Sequence, residues 1–387
     1  MKKKPEPSQV LELWTERDLT AAARAGELSP AYEIEDTVEQ ACEILASGRH
    51  LVVTGEPGVG KSAVVHELVR RAEAGRAPAC LAGRRVLQLS FRHRASALKE
   101  ATEIRPEMQN LVEALRAKSA EVVPFFRDFH LAYAFDLETQ LQALSFRFPG
   151  PILGEGEATA AATLFESWAE LEQSYTTLPI PEPSLDRTVR ILAQWAAAQE
   201  KNLGRRITPE ALDEVLQLSH RFLSKSRLPR KALDLAANVL GATSGLVTQA
   251  EVIERFSKVH RVPRMLIDPA IPLDLSRIET DLSGHLLGQS DAVRTIVRMI
   301  GLIKSGLTNV RRPFGVFLFV GPTGVGKTHL AQLLAETLFG DRDRVLRINM
   351  ADYQSERSSY ALFGESWEDR ISLRRGVLTQ RVAGQPS

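Results

Sequence analysis

The sequence predicts an α/β fold made of two phosphate-binding modules in tandem, with parallel sheets and a helical region between them. Three observations lead to this prediction. The pattern G-x-x-x-x-G-K-[ST] occurs twice, at residues 55–62 and 321–328. An apolar strand pattern precedes each copy, at 50–54 and 315–320, and a helical pattern follows each. Strands that alternate with helices after the first copy indicate a parallel sheet with helices on both faces.

Both copies have the chemistry of a nucleotide site. Their glycines let backbone N–H groups close around phosphates at a helix N-terminus, where the helix dipole also favours negative charge. Lys61 and Lys327 are expected to reach the β- and γ-phosphates, and the hydroxyls of Ser62 and Thr328 to hold Mg²⁺. A chance match in a Gly-rich turn is the alternative, which the ordered strand, loop and helix oppose. The predicted binding residues are Gly55, Gly58, Val59, Gly60, Lys61 and Ser62, then Gly321, Thr323, Gly324, Val325, Gly326, Lys327 and Thr328.

Composition narrows the class of protein. The 387 residues are 44% hydrophobic, enough for two to three domains with apolar cores. The 49 basic residues balance 48 acidic ones, so we expect neither nucleic acid nor a membrane surface as a partner. Without a membrane-length apolar run or an apolar signal region, the expected location is the cytoplasm. Cys42 and Cys80 are too few and too isolated for a disulfide framework or a metal site.

The elements follow in order along the chain. Strand patterns at 85–89 and 122–126 come after the first phosphate loop, and prolines at 179–183 end that module. Pro209 marks the start of a helix in the region that follows. The predicted regions are an N-terminal extension at 1–33, a first large subdomain at 34–180, a helical subdomain at 181–245, a linker at 246–284 and a second large subdomain at 285–387.

The second module contains residues specific enough to resemble a known family. Residues 285–293, 312–328, 338–340 and 347–353 closely resemble the second ATPase domain of Clp-type AAA+ unfoldases. Residues 207–235 likewise resemble the lid of the first Clp ATPase domain. The similarity covers roughly residues 35 to 387 and is loose between about 90 and 180.

This resemblance implies a P-loop NTPase fold of the AAA+ kind that binds ATP and Mg²⁺. It implies protein clients and a ring-shaped homo-oligomer, which is a hexamer in the family, and it allows a protease or adaptor partner. In the family, the segment that corresponds to Leu287 and Gly288 packs near the adenine, so these two residues join the predicted nucleotide site.

The loosely similar stretch covers the family's catalytic residues. There an apolar strand ends in Asp-Glu, where Asp supports Mg²⁺ and Glu activates the attacking water. Here the matching residues are Arg127 and Asp128, so Asp128 takes the catalytic position. A cation repels Mg²⁺ and Asp is shorter than Glu, so hydrolysis is expected to be impaired. The family's paired arginines correspond to Glu-Gln-Ser-Tyr at 172–175, and its polar sensor to Leu-Gly-Glu-Gly at 153–156, which makes the first module degenerate.

Further departures concern the substrate and the second site. The family's aromatic pore-loop residue aligns with Glu100 in the first module, and the nearest aromatic residue in the second is Trp367, for which a packing role is an equal alternative. The family pattern would continue beyond Ser387 into its catalytic strand, so the second module is expected to be incomplete.

Three functions therefore remain open. The resemblance favours a Clp-like, ATP-binding AAA+ chaperone or unfoldase that remodels proteins. The alternative is a non-hydrolysing assembly or regulatory subunit, or a truncated relic, of such a ring, and the changes at Arg127 and Asp128 favour it. The third is a nucleic-acid-directed AAA+ protein such as a helicase loader, which the neutral charge and the lid-like region oppose. Whether either site hydrolyses ATP is left undecided.

Overall fold

The computed structural model describes residues 6–98, 103–223, 226–306, 313–363, 376–378 and 381. Its internal contacts divide the chain into two units. The first contains residues 1–191 and 226–230, and the second contains residues 192–225 and 231–387.

The first unit is built on one six-stranded sheet. The strand order is β1-β3-β4-β5-β2-β6, in which β1 is antiparallel to β3 and all other neighbours are parallel. This confirms the predicted parallel α/β arrangement, with one antiparallel edge strand added. The strands are β1 (Thr15–Asp18), β2 (His50–Thr54), β3 (Arg85–Leu89), β4 (Val122–Phe126), β5 (Leu153–Gly156) and β6 (Tyr175–Pro179).

Helices cover both faces of this sheet. Along β2, Leu51 and Val53 point into one apolar cluster with Leu68, whereas Val52 points into the opposite cluster with Phe126, as the two-residue period of a strand requires. The helices are α1 (Pro7–Trp14), α2 (Leu19–Arg24), α3 (Glu35–Ala46), α4 (Lys61–Glu73), α5 (Phe91–Ser96), α6 (Ile104–Ala117), α7 (Leu131–Ala134), α8 (Glu138–Arg147) and α9 (Ala158–Ser167).

The N-terminal segment belongs to this unit and is not an extension outside it. Strand β1 pairs with β3, and Thr20 Oγ1 accepts a hydrogen bond from the Val86 amide at 2.9 Å. Trp14 is fully buried, with its ring edge against Phe91 at a centroid distance of 6.0 Å. The predicted boundary at residue 33 separates this segment from the core that it completes, because strand pairing joins residues far apart in sequence.

The described part of the second unit is helical. A bridge joins Ile207 to Val247, and α13 packs against α11 in the region that the sequence assigns partly to a linker. Among the described residues, every helix is too short or too polar to cross a bilayer. The helices from residue 185 onward are α10 (Leu185–Leu203), α11 (Pro209–Phe222), α12 (Arg230–Ala242), α13 (Gln249–His260), α14 (Arg264–Ile267), α15 (Leu275–His285), α16 (Ser290–Ser305), α17 (Lys327–Phe339) and α18 (Glu356–Phe363).

The strands predicted at 315–320 and 345–349 do not form in the described structure. Val316, Leu318 and Val320 are each more than 80% exposed, although a strand of this composition is normally buried on both faces. Because a strand's hydrogen bonds come from its neighbours, an apolar sequence cannot form one by itself. Within the described residues, segments 315–320 and 345–349 therefore do not pair into a second sheet, and the parallel α/β class rests on the sheet of the first unit.

Candidate nucleotide site

The first phosphate loop connects β2 to α4 and depends on glycine at two points. Gly58 has φ +97° and Gly55 has φ +156°, a conformation that residues with a side chain rarely adopt. A Cβ atom would lie 2.9 Å from the Arg227 carbonyl oxygen at Gly58 and 2.6 Å from the Ile180 carbonyl oxygen at Gly55. These contacts leave a narrow cradle that a side chain would fill.

Lys61 folds back over this loop. Its Nζ donates hydrogen bonds to the carbonyl oxygens of Gly55 at 2.8 Å and Glu56 at 3.0 Å. Burial lowers the pKa of the ammonium, and the nearby carboxylates of Glu155 and Glu157 oppose that shift. The amine therefore sits at the loop where phosphates are expected, as the sequence predicts for this lysine.

Ser62 is held by a carboxylate from a different strand. Its Oγ donates a hydrogen bond to Glu155 Oε2 at 2.7 Å, and Glu155 is only 6% exposed. Burial raises the pKa of Glu155 to about 7, opposed by the Ser62 hydrogen bond and by the charges of Lys61 and Arg127.

The register of β5 explains how Glu155 reaches this point. Leu153 belongs to the apolar cluster on the α4 side of the sheet, and Glu155, two residues on, faces the same side. Gly154 faces the opposite side, where a Cβ atom would lie 3.0 Å from the ring of Phe129. From the sequence, residues 153–156 are expected only to be a lost sensor. The signal it misses is one charged residue in a short strand that otherwise consists of Leu and Gly.

Arg127 and Asp128 follow β4 directly, at the same edge of the sheet as the phosphate loop. Arg127 is half-exposed, with its guanidinium 3.8 Å from Glu155 Oε1 and 3.9 Å from Glu16 Oε2. Asp128 Oδ2 lies 3.8 Å from Arg92 Nε, and its charge opposes the lowering of the Lys61 pKa. Asp128 is thus near the loop but faces a guanidinium, and its catalytic role stays a prediction.

Residues 227–230, which no sequence motif indicates, bind the backbone of the first phosphate loop on the side away from β5. The Arg227 amide donates to the Pro57 carbonyl at 2.9 Å, and the Arg230 amide donates to the Gly58 carbonyl at 3.3 Å. The Arg227 guanidinium lies 3.8 Å from Glu56 and 3.7 Å from Glu182. All of these residues belong to the first unit. The segment around Arg227 therefore forms a second side of the candidate nucleotide site in that unit.

The second phosphate loop has the same local conformation. Lys327 Nζ donates to the carbonyl oxygens of Gly321 and Pro322, each at 2.7 Å. Gly324 and Gly326 have φ +92° and +96°, close to the values at the first loop. The loop is more open, because a Cβ atom at Gly324 would meet nothing within 4 Å. Thr323 and Thr328 are exposed and Val325 is half-buried.

A cavity of about 340 Å³ adjoins this second loop, within the size range of small-molecule sites. Leu286 and Gln289 line it, together with Val325 and Lys327. Leu287, which the resemblance places near adenine, is 87% exposed and does not line this cavity, nor does Gly288. Leu286 reaches the loop instead, because a Cβ atom at Gly326 would lie 3.1 Å from its Cδ1.

The residues of the first loop fit ATP with Mg²⁺. They combine a glycine cradle, an ammonium group, a hydroxyl and a buried carboxylate. Mg²⁺ is usually held by one or two carboxylates with phosphates and water, not by a cage of protein ligands. Among the described residues, no three His, Cys, Asp or Glu side chains converge on one point. The predicted pore-loop positions Glu100 and Trp367 lie outside the described residues.

Comparison with known proteins places this geometry in a family. Residues 312–387 match the family described as AAA domain (Cdc48 subfamily), and residues 184–261 match an AAA lid domain. The lid match includes α13, which lies within the linker predicted from the sequence at 246–284.

Similar curated proteins are the chaperone protein ClpB of Oceanobacillus iheyensis and the ATP-dependent Clp protease ATP-binding subunit ClpE of Lactococcus lactis. ClpB is 26% identical over 96% of this chain and 55% of its own length. ClpE is 29% identical over 95% of this chain and 58% of its own length. The chain thus spans little more than half the length of these relatives.

Solved structures of Hsp104 are similar over nearly the whole chain. The extended S. cerevisiae Hsp104:casein complex has a TM-score of 0.67 and 25% identity, covering 95% of this chain and 65% of that one. Closed Hsp104 with ATPγS and FITC casein has a TM-score of 0.69 and 25% identity, covering 97% and 67%. The domain matches, the curated relatives and these structures all support the assignment of the chain to the Clp-type AAA+ family.

Proposed function

We propose that this chain binds ATP with Mg²⁺ at its first phosphate loop, as the nucleotide-binding part of a Clp-type protein that remodels other proteins. The observation that carries the proposal is the position of Lys61 Nζ, 2.8 Å and 3.0 Å from two carbonyl oxygens of the loop. The glycine cradle beside it supports the same conclusion. A relative named as a Clp protease ATP-binding subunit and Hsp104 with ATPγS add to that support.

Binding of a fluorescent ATP analogue tests this proposal. Lys327→Ala in the full chain restricts the measurement to the first loop. In that parent we expect saturable binding, which Lys61→Ala abolishes because the charge that neutralises the phosphates is lost. Lys118→Ala is the matched control, since Lys118 pairs with Glu121 in the turn after α6 and has no part in the loop. A parent that fails to bind, or a Lys61→Ala variant that binds equally well, would refute the proposal.

A non-hydrolysing role is the second candidate, and the surroundings of Arg127 and Asp128 favour it. The cation at position 127 occupies the place of a metal-side carboxylate, and Asp128 faces Arg92 at 3.8 Å. In this role ATP holds an assembly together without powering it. Single-turnover ATP hydrolysis separates the two candidates. The non-hydrolysing role predicts no hydrolysis by the wild type and measurable hydrolysis by the double variant Arg127→Asp/Asp128→Glu. Hydrolysis that Asp128→Asn abolishes would instead support an ATP-driven machine.

Protein clients and a ring-shaped homo-oligomer, hexameric in the family, are part of the proposal, as are a protease or adaptor partner and a cytoplasmic location. The Hsp104 structures named above contain casein, so FITC-casein is a suitable probe. We expect its fluorescence anisotropy to rise with this chain in ATPγS and not in nucleotide-free buffer. Sedimentation under both conditions reports the assembly, and a monomer throughout would exclude the ring.

A further inference from the structure

We propose that Glu155 supplies from β5 the metal-side carboxylate that the family places at the end of β4, so that Ser62 and Glu155 form the protein's side of the Mg²⁺ site. This inference rests on the proposed nucleotide binding at the first loop.

The sheet order makes the substitution possible. Strand β5 lies between β4 and β2, with Phe126 of β4 beside Gly154 and Val53 of β2 beside Glu155. A side chain from the end of β5 therefore reaches the start of α4 without crossing another strand. Arg127 occupies the position at the end of β4, where a positive charge cannot bind a metal cation. Compared with the family position at the end of β4, this carboxylate is one strand closer to β2 and its phosphate loop.

Folding by itself gives no reason for a carboxylate at this position. Burying a charge is unfavourable unless it is paired, and an apolar residue would continue the cluster that Leu153 joins on the same face. The carboxylate contacts two groups of the site, the Ser62 hydroxyl at 2.7 Å and the Arg127 guanidinium at 3.8 Å.

The two carboxylate oxygens have different surroundings. Oε1 faces Arg127, whereas Oε2 faces the Ser62 hydroxyl. Two oxygens at adjacent corners of an octahedron with metal–oxygen distances of about 2.1 Å are about 3 Å apart. The 2.7 Å separation of Ser62 Oγ and Glu155 Oε2 is close to that spacing. Arg127 thus lies on the Oε1 side of the carboxylate, and Oε2 and the hydroxyl remain together as oxygen donors.

Binding of ADP with and without Mg²⁺ tests the assignment. The parent is the full chain with Lys327→Ala, titrated by calorimetry in Mg²⁺ or in EDTA. We expect Mg²⁺ to tighten ADP binding in the parent. In Glu155→Gln most of this gain should disappear. Metal affinity should fall at least roughly tenfold, because removing even a residue that only supports a metal ligand has an effect of that size. Binding in EDTA should be retained. Glu166→Gln, an exposed change of the same charge on α9, should behave like the parent.

Mn²⁺ provides a readout independent of affinity for ADP. The electron paramagnetic resonance signal of free Mn²⁺ should fall when ADP and the parent are added, and should fall much less with Glu155→Gln. If Glu155→Gln does not fold, Glu155→Asp replaces it. The shorter carboxylate should weaken the response to metal, and a response equal to that of the parent would overturn the inference.

The outcomes separate this inference from the proposed function. A parent that binds ADP in neither Mg²⁺ nor EDTA refutes nucleotide binding itself. A parent that binds ADP but shows no response to Mg²⁺, or whose response survives Glu155→Gln unchanged, refutes the role of Glu155 and leaves nucleotide binding standing.

Discussion

Ser62 and Glu155 are 93 residues apart in sequence, yet their side chains share a 2.7 Å hydrogen bond at the mouth of the first phosphate loop. Ser62 lies in the first turn of α4 and Glu155 near the end of β5, so the contact exists only when the parallel sheet is assembled in its observed register. Local motif and sheet assembly together build this site, and the stability of each part can be tested separately.

Gly58→Ala should destabilise the chain more than Gly75→Ala. Both glycines have positive φ, but a Cβ atom at Gly58 would lie 2.9 Å from the Arg227 carbonyl, whereas Gly75 has nothing within 4 Å. The backbone strain of roughly 1–2 kcal/mol is common to both. The close contact should add about 1–3 kcal/mol at Gly58. Urea unfolding followed by fluorescence measures the difference, and equal losses would contradict the loop geometry.

Trp14→Ala should lower the free energy of unfolding by about 3–5 kcal/mol, as large core truncations do. Trp14 is fully buried against Phe91, whereas its neighbour Leu13 is 48% exposed. Leu13→Ala is therefore the matched control, with an expected loss below about 1 kcal/mol. Similar small losses for both variants would show that α1 does not belong to the core.

Arg127→Ala should reduce the Mg²⁺ concentration that half-maximally tightens ADP binding, by a few-fold. The reason is that its guanidinium lies 3.8 Å from Glu155 and repels a second cation there. Mg²⁺ titrations at fixed ADP, in the Lys327→Ala parent, provide the measurement. Arg116→Ala, an exposed change on α6, is the control for loss of one positive charge. An unchanged or higher Mg²⁺ requirement in Arg127→Ala would mean that the guanidinium does not oppose the metal.

The contribution of His50 to stability should fall between pH 7 and pH 5, whereas that of Glu155, whose pKa is raised, should change in the opposite direction. Burial lowers the pKa of His50 to about 4, and its Nδ1 accepts a hydrogen bond from the Ile152 amide at 3.3 Å. Above pH 6.5 the ring is neutral in both states. Below pH 6.5 the imidazole becomes protonated in the unfolded chain but stays neutral in the folded chain. The contribution of His50 to stability therefore decreases as the pH falls toward 4.

At pH 5 this single group should reduce the free energy of unfolding by about 2 kcal/mol relative to pH 7. His50→Asn keeps an acceptor that cannot be protonated in this range, so on going from pH 7 to pH 5 its free energy of unfolding should change more favourably than that of the wild type by about this amount. His285→Asn, exposed on α15, should keep the wild-type difference. Identical pH dependence in His50→Asn and wild type would exclude His50 as the cause.

Features that depend only on residues close together in the sequence were predictable from it. The glycines at Gly58 and Gly60, the lysine at Lys61 and the helix that follows are local, and the structure forms them as predicted. The alternation of strands and helices likewise predicted the parallel sheet of the first unit. The nearby change from a carboxylate to Arg127 was also visible, because the resemblance aligns that position directly.

Only the tertiary structure could reveal the rest, because it depends on which strands lie side by side. The sequence predicted strands at both phosphate loops, yet β2 has β5 and β6 as neighbours, while residues 315–320 have none in the described structure. Strand β1 and the position of Glu155 could not be predicted either, because both depend on which strands are adjacent in the sheet. The two predicted phosphate loops could be recognised from the sequence, because glycine conformation and the start of a helix are local properties. The sheet decided which carboxylate meets Ser62, because backbone pairing brings together residues that no local pattern connects.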